Sequence, residues 1–129
     1  MELTEQERLM LVKKKEEICG LTLKILDLKN DLKNIEEIKK YFTTILSELS
    51  TIASYSDSKN YNLNKFTIFI TQLFLMMSEE ENSKIWIASP LSIEIACNFA
   101  NSMRFDFTKK GLKIHFPKVN LNIWTYNQY

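Results

Sequence analysis

An apolar repeat in the first half of the chain constrains the fold more than any other feature. Between residues 11 and 49, apolar side chains recur at alternating spacings of three and four, and they fill ten of the twelve a and d positions of a heptad repeat. Only Lys14 and Lys39 interrupt this seam. Such a repeat is typical of a coiled coil, or of a helix that packs along its whole length on another helix. The sequence therefore predicts one long amphipathic helix that needs a partner.

The character of the repeat changes near Ile35. Before it, the g positions beside the seam are charged, and after it they are isoleucines. A narrow stripe suits a pair of helices, whereas a broad one suits packing inside a domain. Within a single domain of residues 1–129, we therefore predict a helical interaction arm at 4–36 and a compact head at 37–129. The predicted partner interface consists of seven seam residues: Leu11, Ile18, Leu21, Ile25, Leu28, Leu32 and Ile35.

The partner of the seam is left open by the sequence. A continuous helix would span about 70 Å, far more than the later helices can cover, unless it breaks at Gly20 and folds back on them. If the partner is another copy, the flanking charges favour an antiparallel pair, in which Lys24 opposes Asp31. Lys29 similarly opposes Glu36, whereas a parallel pair brings like charges together.

The remaining elements follow from local patterns. Thr4 and Glu7 have the spacing of a capping box, which places the start of the first helix at Thr4 and its end near residue 53. Shorter helices are predicted at 63–78 and, after Ser89 and Pro90, at 90–102. Residues 84–88 are either a short strand or a lead-in to that last helix.

A β-hairpin is predicted at residues 104–116. Phe105 and Phe107 alternate with polar residues, a Thr-Lys-Lys-Gly turn follows, and a second alternating segment comes after it. Residues 119–123 alternate as a third candidate strand. The predicted class is therefore α+β and predominantly helical, with a long coiled-coil-like N-terminal helix, two shorter helices and a small C-terminal antiparallel sheet.

Charge is nearly balanced over the whole chain, at +1, but not in the tail. Residues 104–129 hold five Lys and Arg against one acidic residue. A basic ribbon can contact phosphates, although lysines also protect the wet side and the edge of a half-buried sheet. The candidate nucleic-acid contacts are Arg104, Lys109, Lys110, Lys113, His115 and Lys118.

Catalytic and cofactor signatures are not found. Two glycines cannot form a phosphate-binding loop, and Cys19 and Cys97 lack metal-ligand spacing. The only histidine, His115, could form a dyad with Cys97, but a packed thiol and a surface imidazole fit the pattern better. We therefore expect no enzyme, no cofactor and no metal. No apolar run reaches the length of a membrane span and no secretory signal is evident, so the expected location is the cytoplasm.

Three functions compete on these grounds. The leading hypothesis is a non-catalytic assembly or interaction protein that self-associates or docks on a larger complex through the N-terminal helix. The second is a nucleic-acid-associated protein that uses the hairpin at 104–118. The third, suggested by the small size and the bias towards Lys, Ile and Asn, is a viral or mobile-element protein that binds and inhibits a host enzyme.

Overall fold

The fold consists of a set of packed helices followed by a hairpin. A computed structural model describes residues 2–56, 61–77 and 83–116. Within these ranges lie the helices α1 (Glu5–Leu28), α2 (Ile35–Ser54), α3 (Tyr61–Met77) and α4 (Ser83–Asn101), and the strands β1 (Arg104–Thr108) and β2 (Gly111–His115). The predicted α+β, predominantly helical class is confirmed.

The start of α1 is the capping box that the sequence predicts. The backbone N–H of Glu7 donates to Thr4 Oγ1 at 3.1 Å, and the N–H of Thr4 donates to Glu7 Oε1 at 2.9 Å. These two bonds satisfy amides that have no partner within the helix. Glu5 and Glu7 also place negative charge where the helix dipole favours it.

The long first helix is interrupted, but not at Gly20. Gly20 lies inside α1, and the break falls between α1 and α2, where a short 3-10 turn spans Leu32–Asn34. Two side chains stabilise this break by offering the backbone hydrogen bonds that compete with those of a helix. Asp31 Oδ1 accepts from the N–H of Lys33 at 3.0 Å, and Asn34 Nδ2 donates to the carbonyl of Leu28 at 3.2 Å. The prediction of one helix running to about residue 53 is therefore wrong.

This break lets α1 find its partners inside the chain. Lys14 of α1 reaches Glu48 late in α2, and Lys24 of α1 reaches Tyr41 early in α2, so the two helices run antiparallel. The same buried side of α1 also packs on α4. The broad stripe of α2 is buried at five positions: Ile38, Phe42, Ile45, Leu49 and Ile52.

The helices α3 and α4 pack on each other and complete the core. The bounds of α3 agree closely with the predicted 63–78, but α4 begins at Ser83 rather than at Pro90. Residues 84–88 are therefore helical, and Pro90 lies inside the helix, where its missing N–H removes one backbone hydrogen bond. The rings of Phe66 and Phe99 stack between the two helices with centroids 4.9 Å apart.

The hairpin follows the predicted alternation. Phe105 pairs with Ile114 and Phe107 pairs with Leu112 in an antiparallel register. Gly111 closes the turn with a φ of 128°, which only glycine adopts readily. A single parallel bridge between residues 56 and 112 ties the end of α2 to β2. The candidate third strand at 119–123 lies outside the described residues.

Candidate interaction surfaces on α1 and the hairpin

The predicted partner interface is used largely within the chain. Leu11, Ile18 and Ile25 are fully buried, because α2 and α4 cover this side of α1. Three further seam residues pack partly buried against the same core: Leu21, Leu28 and Ile35. Leu32 lies in the turn between the helices, and its side chain is outside the described set. Both halves of the predicted helix therefore share one core, and the length of the predicted helix no longer requires a partner for the seam.

Lys14, which interrupts the seam, has a specific role in this packing. Its ammonium lies 3.2 Å from the carboxylate of Glu48, and the two side chains are only 24% and 17% exposed. A half-buried charge needs a partner of opposite sign, because desolvation of an unpaired one is costly. The other interruption, Lys39, lies 3.4 Å from Glu36 of its own helix.

A buried hydroxyl joins α1 to α4. Thr22 is fully buried, and its Oγ1 lies 2.7 Å from the carbonyl oxygen of Cys19 and 2.6 Å from the side-chain amide of Asn101. The Thr22 hydroxyl donates, and both the carbonyl oxygen of Cys19 and Oδ1 of Asn101 lie within acceptor distance, so the two oxygens share its single hydrogen. The contact fixes the position of α1 on α4.

The opposite face of α1 carries a second apolar row. We define the outer stripe as Leu9, Val12, Cys19 and Leu23, which recur along one side of the helix at helical spacing. Leu9 and Leu23 are 64% and 63% exposed, Val12 is 39% exposed, and Cys19 is partly exposed. Sequence reasoning missed this row because the a and d positions of the seam were sufficient to predict an amphipathic helix. The row could have been found from the apolar residues of α1 that lie outside those positions.

The N-terminal end of the outer stripe borders an open groove of about 490 Å³. Its lining includes Leu3, Leu9 and Val12 together with acidic residues. Arg8 also lines the groove, and its guanidinium lies 3.7 Å from Glu2 and 5.4 Å from the ring centroid of Phe107. The groove is therefore flanked by both signs of charge.

The hairpin presents its cations on the face turned away from α1. Arg104, Lys113 and His115 are exposed along the strands, and Lys109 and Lys110 are exposed at the tip. Lys118 lies outside the described residues. Asp106 places a negative charge on this face. It lies opposite Lys113 in the strand register, and its carboxylate lies 3.9 Å from the imidazole of His115.

The aromatic residues of the hairpin face α1. Phe105 and Phe107 are half-buried, and they lie beneath the cations of Lys15 and Arg8 at 5.5 and 5.4 Å. These two cations of α1 were missed by sequence reasoning. Because the rings are covered, the hairpin can offer charge to a phosphate but not these rings to a base.

The structure does not bring Cys97 and His115 together as a dyad, an arrangement that the sequence already disfavours. Cys97 is fully buried, and His115 is exposed beside Asp106. Burial, with a smaller contribution from the Glu94 carboxylate, raises the pKa of the Cys97 thiol to about 12, although Lys29 acts to lower it. A thiol with this pKa is protonated at neutral pH and is a poor nucleophile.

Among the described residues, no three His, Cys, Asp or Glu side chains are grouped as metal ligands, and no helix is long and apolar enough to cross a membrane. The chain matched no protein-family model, no curated protein and no solved structure.

Proposed function

We propose that this protein is a non-catalytic interaction protein that assembles, with itself or with a larger complex, through the outer stripe of α1. The observation that carries the proposal is the exposure of Leu9, Val12 and Leu23 on one face of a helix whose other face is buried. Single exposed leucines are ordinary on protein surfaces, but an apolar row along one helix is typical of a binding surface.

The rigidity of α1 supports the same function. A capping box fixes its first turn, the Lys14–Glu48 pair fixes its middle on α2, and Thr22 fixes it on α4. A surface held in place before binding loses little conformational entropy when it meets a partner.

The test compares two apolar-to-charged variants. We expect Leu9→Asp combined with Leu23→Asp to abolish self-association, measured by sedimentation, and binding of any partner identified by affinity capture from the native host. The matched control is Ile68→Asp, because Ile68 is 58% exposed on α3 and lies outside the stripe. Circular dichroism checks that both variants fold. Unchanged association of the double variant, with its fold intact, would contradict the proposal.

Nucleic-acid association through the hairpin is the second candidate. It is favoured by the exposed cations Arg104, Lys109, Lys110 and Lys113 on the face turned away from α1. Few cations give a weak, salt-dependent contact to phosphate. Reversal of charge at Lys109, Lys110 and Lys113 should remove the salt-dependent binding to a labelled oligonucleotide. Binding that survives the reversal would exclude this surface.

The remaining hypotheses use the same features. A viral or mobile-element protein that inhibits a host enzyme would present the outer stripe to that enzyme. A cytoplasmic location fits the two free cysteines, because reducing compartments keep thiols unpaired.

A further inference from the structure

We propose that the outer stripe binds a second copy of this chain, which lies antiparallel to the first and crosses it at Gly20. This inference rests on the function proposed above, because it names the partner of that same surface. Two independent features of α1 support it. One is a glycine whose missing side chain faces no described residue, and the other is a pattern of charge that is complementary to itself.

Gly20 has no role within the described part of the chain. It is exposed in the middle of α1, and a Cβ atom built on it would meet nothing within 4 Å. Glycine in a helix interior destabilises the helix relative to alanine. A missing side chain is useful where another backbone must approach closely, and at Gly20 that backbone is not supplied by the described residues.

The charges around Gly20 are opposite in sign at equal distances. Lys13 and Asp27 lie seven residues before and after it, and Glu16 and Lys24 lie four residues before and after it. All four are exposed. Lys13, Glu16 and Asp27 make no ion pair with the described residues.

Only an antiparallel pair makes use of this pattern. When two copies of α1 cross at Gly20, Lys13 of one lies level with Asp27 of the other, and Glu16 lies level with Lys24. Each pair occurs twice, because a twofold contact uses the same patch on both chains. A parallel pair would place each charge beside its own copy, which repels it. Charge complementarity therefore selects a second copy as the partner and also sets its direction.

The apolar contribution comes from Leu23, one turn beyond Gly20. It is 63% exposed, and in the crossed pair it lies beside the bare backbone at Gly20 of the other copy. The hairpin contacts α1 on the side of Lys15, and α2 contacts it on the side of Lys24. No described residue covers the face between these two residues at Gly20, so within the described part of the chain this face can receive a second helix.

A charge swap tests the pairing. Lys13→Glu alone and Asp27→Lys alone should each weaken dimerisation roughly tenfold at low salt, since each places two repulsive contacts in the dimer. The double variant should recover the dissociation constant of the unmodified protein. The two positions are about 21 Å apart on one helix, too far to pair within one chain, so recovery requires a second copy. Loss without recovery would overturn the antiparallel geometry.

Crosslinking provides a second measurement that does not depend on affinity. In a Cys19→Ser background, the chain with both Lys13→Cys and Asp27→Cys should form covalent dimers under mild oxidation. Either substitution alone should not, because identical positions lie about 21 Å apart in an antiparallel pair. Crosslinking of the single variants would instead indicate a parallel pair and refute the proposal.

Gly20→Ala separates the effect on the fold from the effect on the dimer. It should stabilise the monomer, because alanine favours a helix, and weaken the dimer, because a methyl group then stands at the crossing. A dimer that is unaffected by this change would contradict the crossing point. If the protein stays monomeric at all concentrations, while Leu9→Asp with Leu23→Asp abolishes binding of a different partner protein, this inference fails and the proposed function stands.

Discussion

Replacement of Ile18 by alanine tests whether the seam of α1 belongs to the core of a single chain. Ile18 is fully buried, and the change removes three carbon atoms from its side chain. At about 0.8 kcal/mol per buried carbon, the favourable free energy of transfer from water to the core falls by about 2.4 kcal/mol. The cavity left behind raises the expected loss in the free energy of unfolding to about 3–4 kcal/mol.

The matched control is Leu23→Ala on the opposite face of the same helix. Because Leu23 is 63% exposed, its truncation should change the free energy of unfolding by less than about 0.5 kcal/mol. Both variants are unfolded with urea and followed by circular dichroism, first at the lowest usable protein concentration and then at higher ones. A loss of under 1 kcal/mol for Ile18→Ala, or a loss that depends on protein concentration, would refute the assignment of Ile18 to the monomer core.

Three further predictions follow from single contacts. Glu48→Gln should lower the free energy of unfolding by about 1–2 kcal/mol, because it leaves the half-buried ammonium of Lys14 without an anion. Adding Lys14→Met should recover part of this loss, which a double-mutant cycle measures. Thr22→Val should cost about 1–3 kcal/mol in a urea titration, and Thr22→Ser much less, since serine keeps the hydroxyl; equal losses would argue against the hydrogen bonds. Cys97 should resist alkylation at pH 8, measured by intact mass, while Cys19 reacts. The folded state binds the Cys97 proton more tightly than the unfolded state, so stability should fall as pH rises from about 9 to about 12, and Cys97→Ala should reduce that slope.

The elements that sequence predicted well are those with a local cause. The capping box of Thr4 and Glu7 contains both of its hydrogen-bonding partners within four residues. The hairpin is likewise specified by alternation and by the glycine of its turn, Gly111, which adopts a positive φ. In both cases the deciding interactions lie between neighbours in the sequence.

The break between α1 and α2 could not be derived from the repeat. The heptad phase continues through residues 29–34, so periodicity alone favours one helix. The competing signal was the polar cluster that includes Asp31 and Asn34, whose side chains stabilise a turn. Whether a turn or a helix forms there depends on the core that α1 gains by folding back, which is a long-range effect.

The candidate surface was missed for a related reason. Exposure of Leu9 and Leu23 is a property of the whole fold, since it depends on which sides of α1 are covered by α2, α4 and the hairpin. Sequence reasoning placed the predicted interface on the side of α1 that the fold buries. Only the packing distinguishes the two sides.

The two faces of α1 are subject to different evolutionary constraints. Substitutions at Ile18 or Ile25 must preserve volume and apolarity, because the core leaves no space for a different shape. At Leu9, Val12 and Leu23, the side chain can change with little effect on folding. The outer stripe can therefore diverge rapidly while the scaffold is retained. Under the proposed function, a few changes on one side of a single helix are enough to change binding specificity.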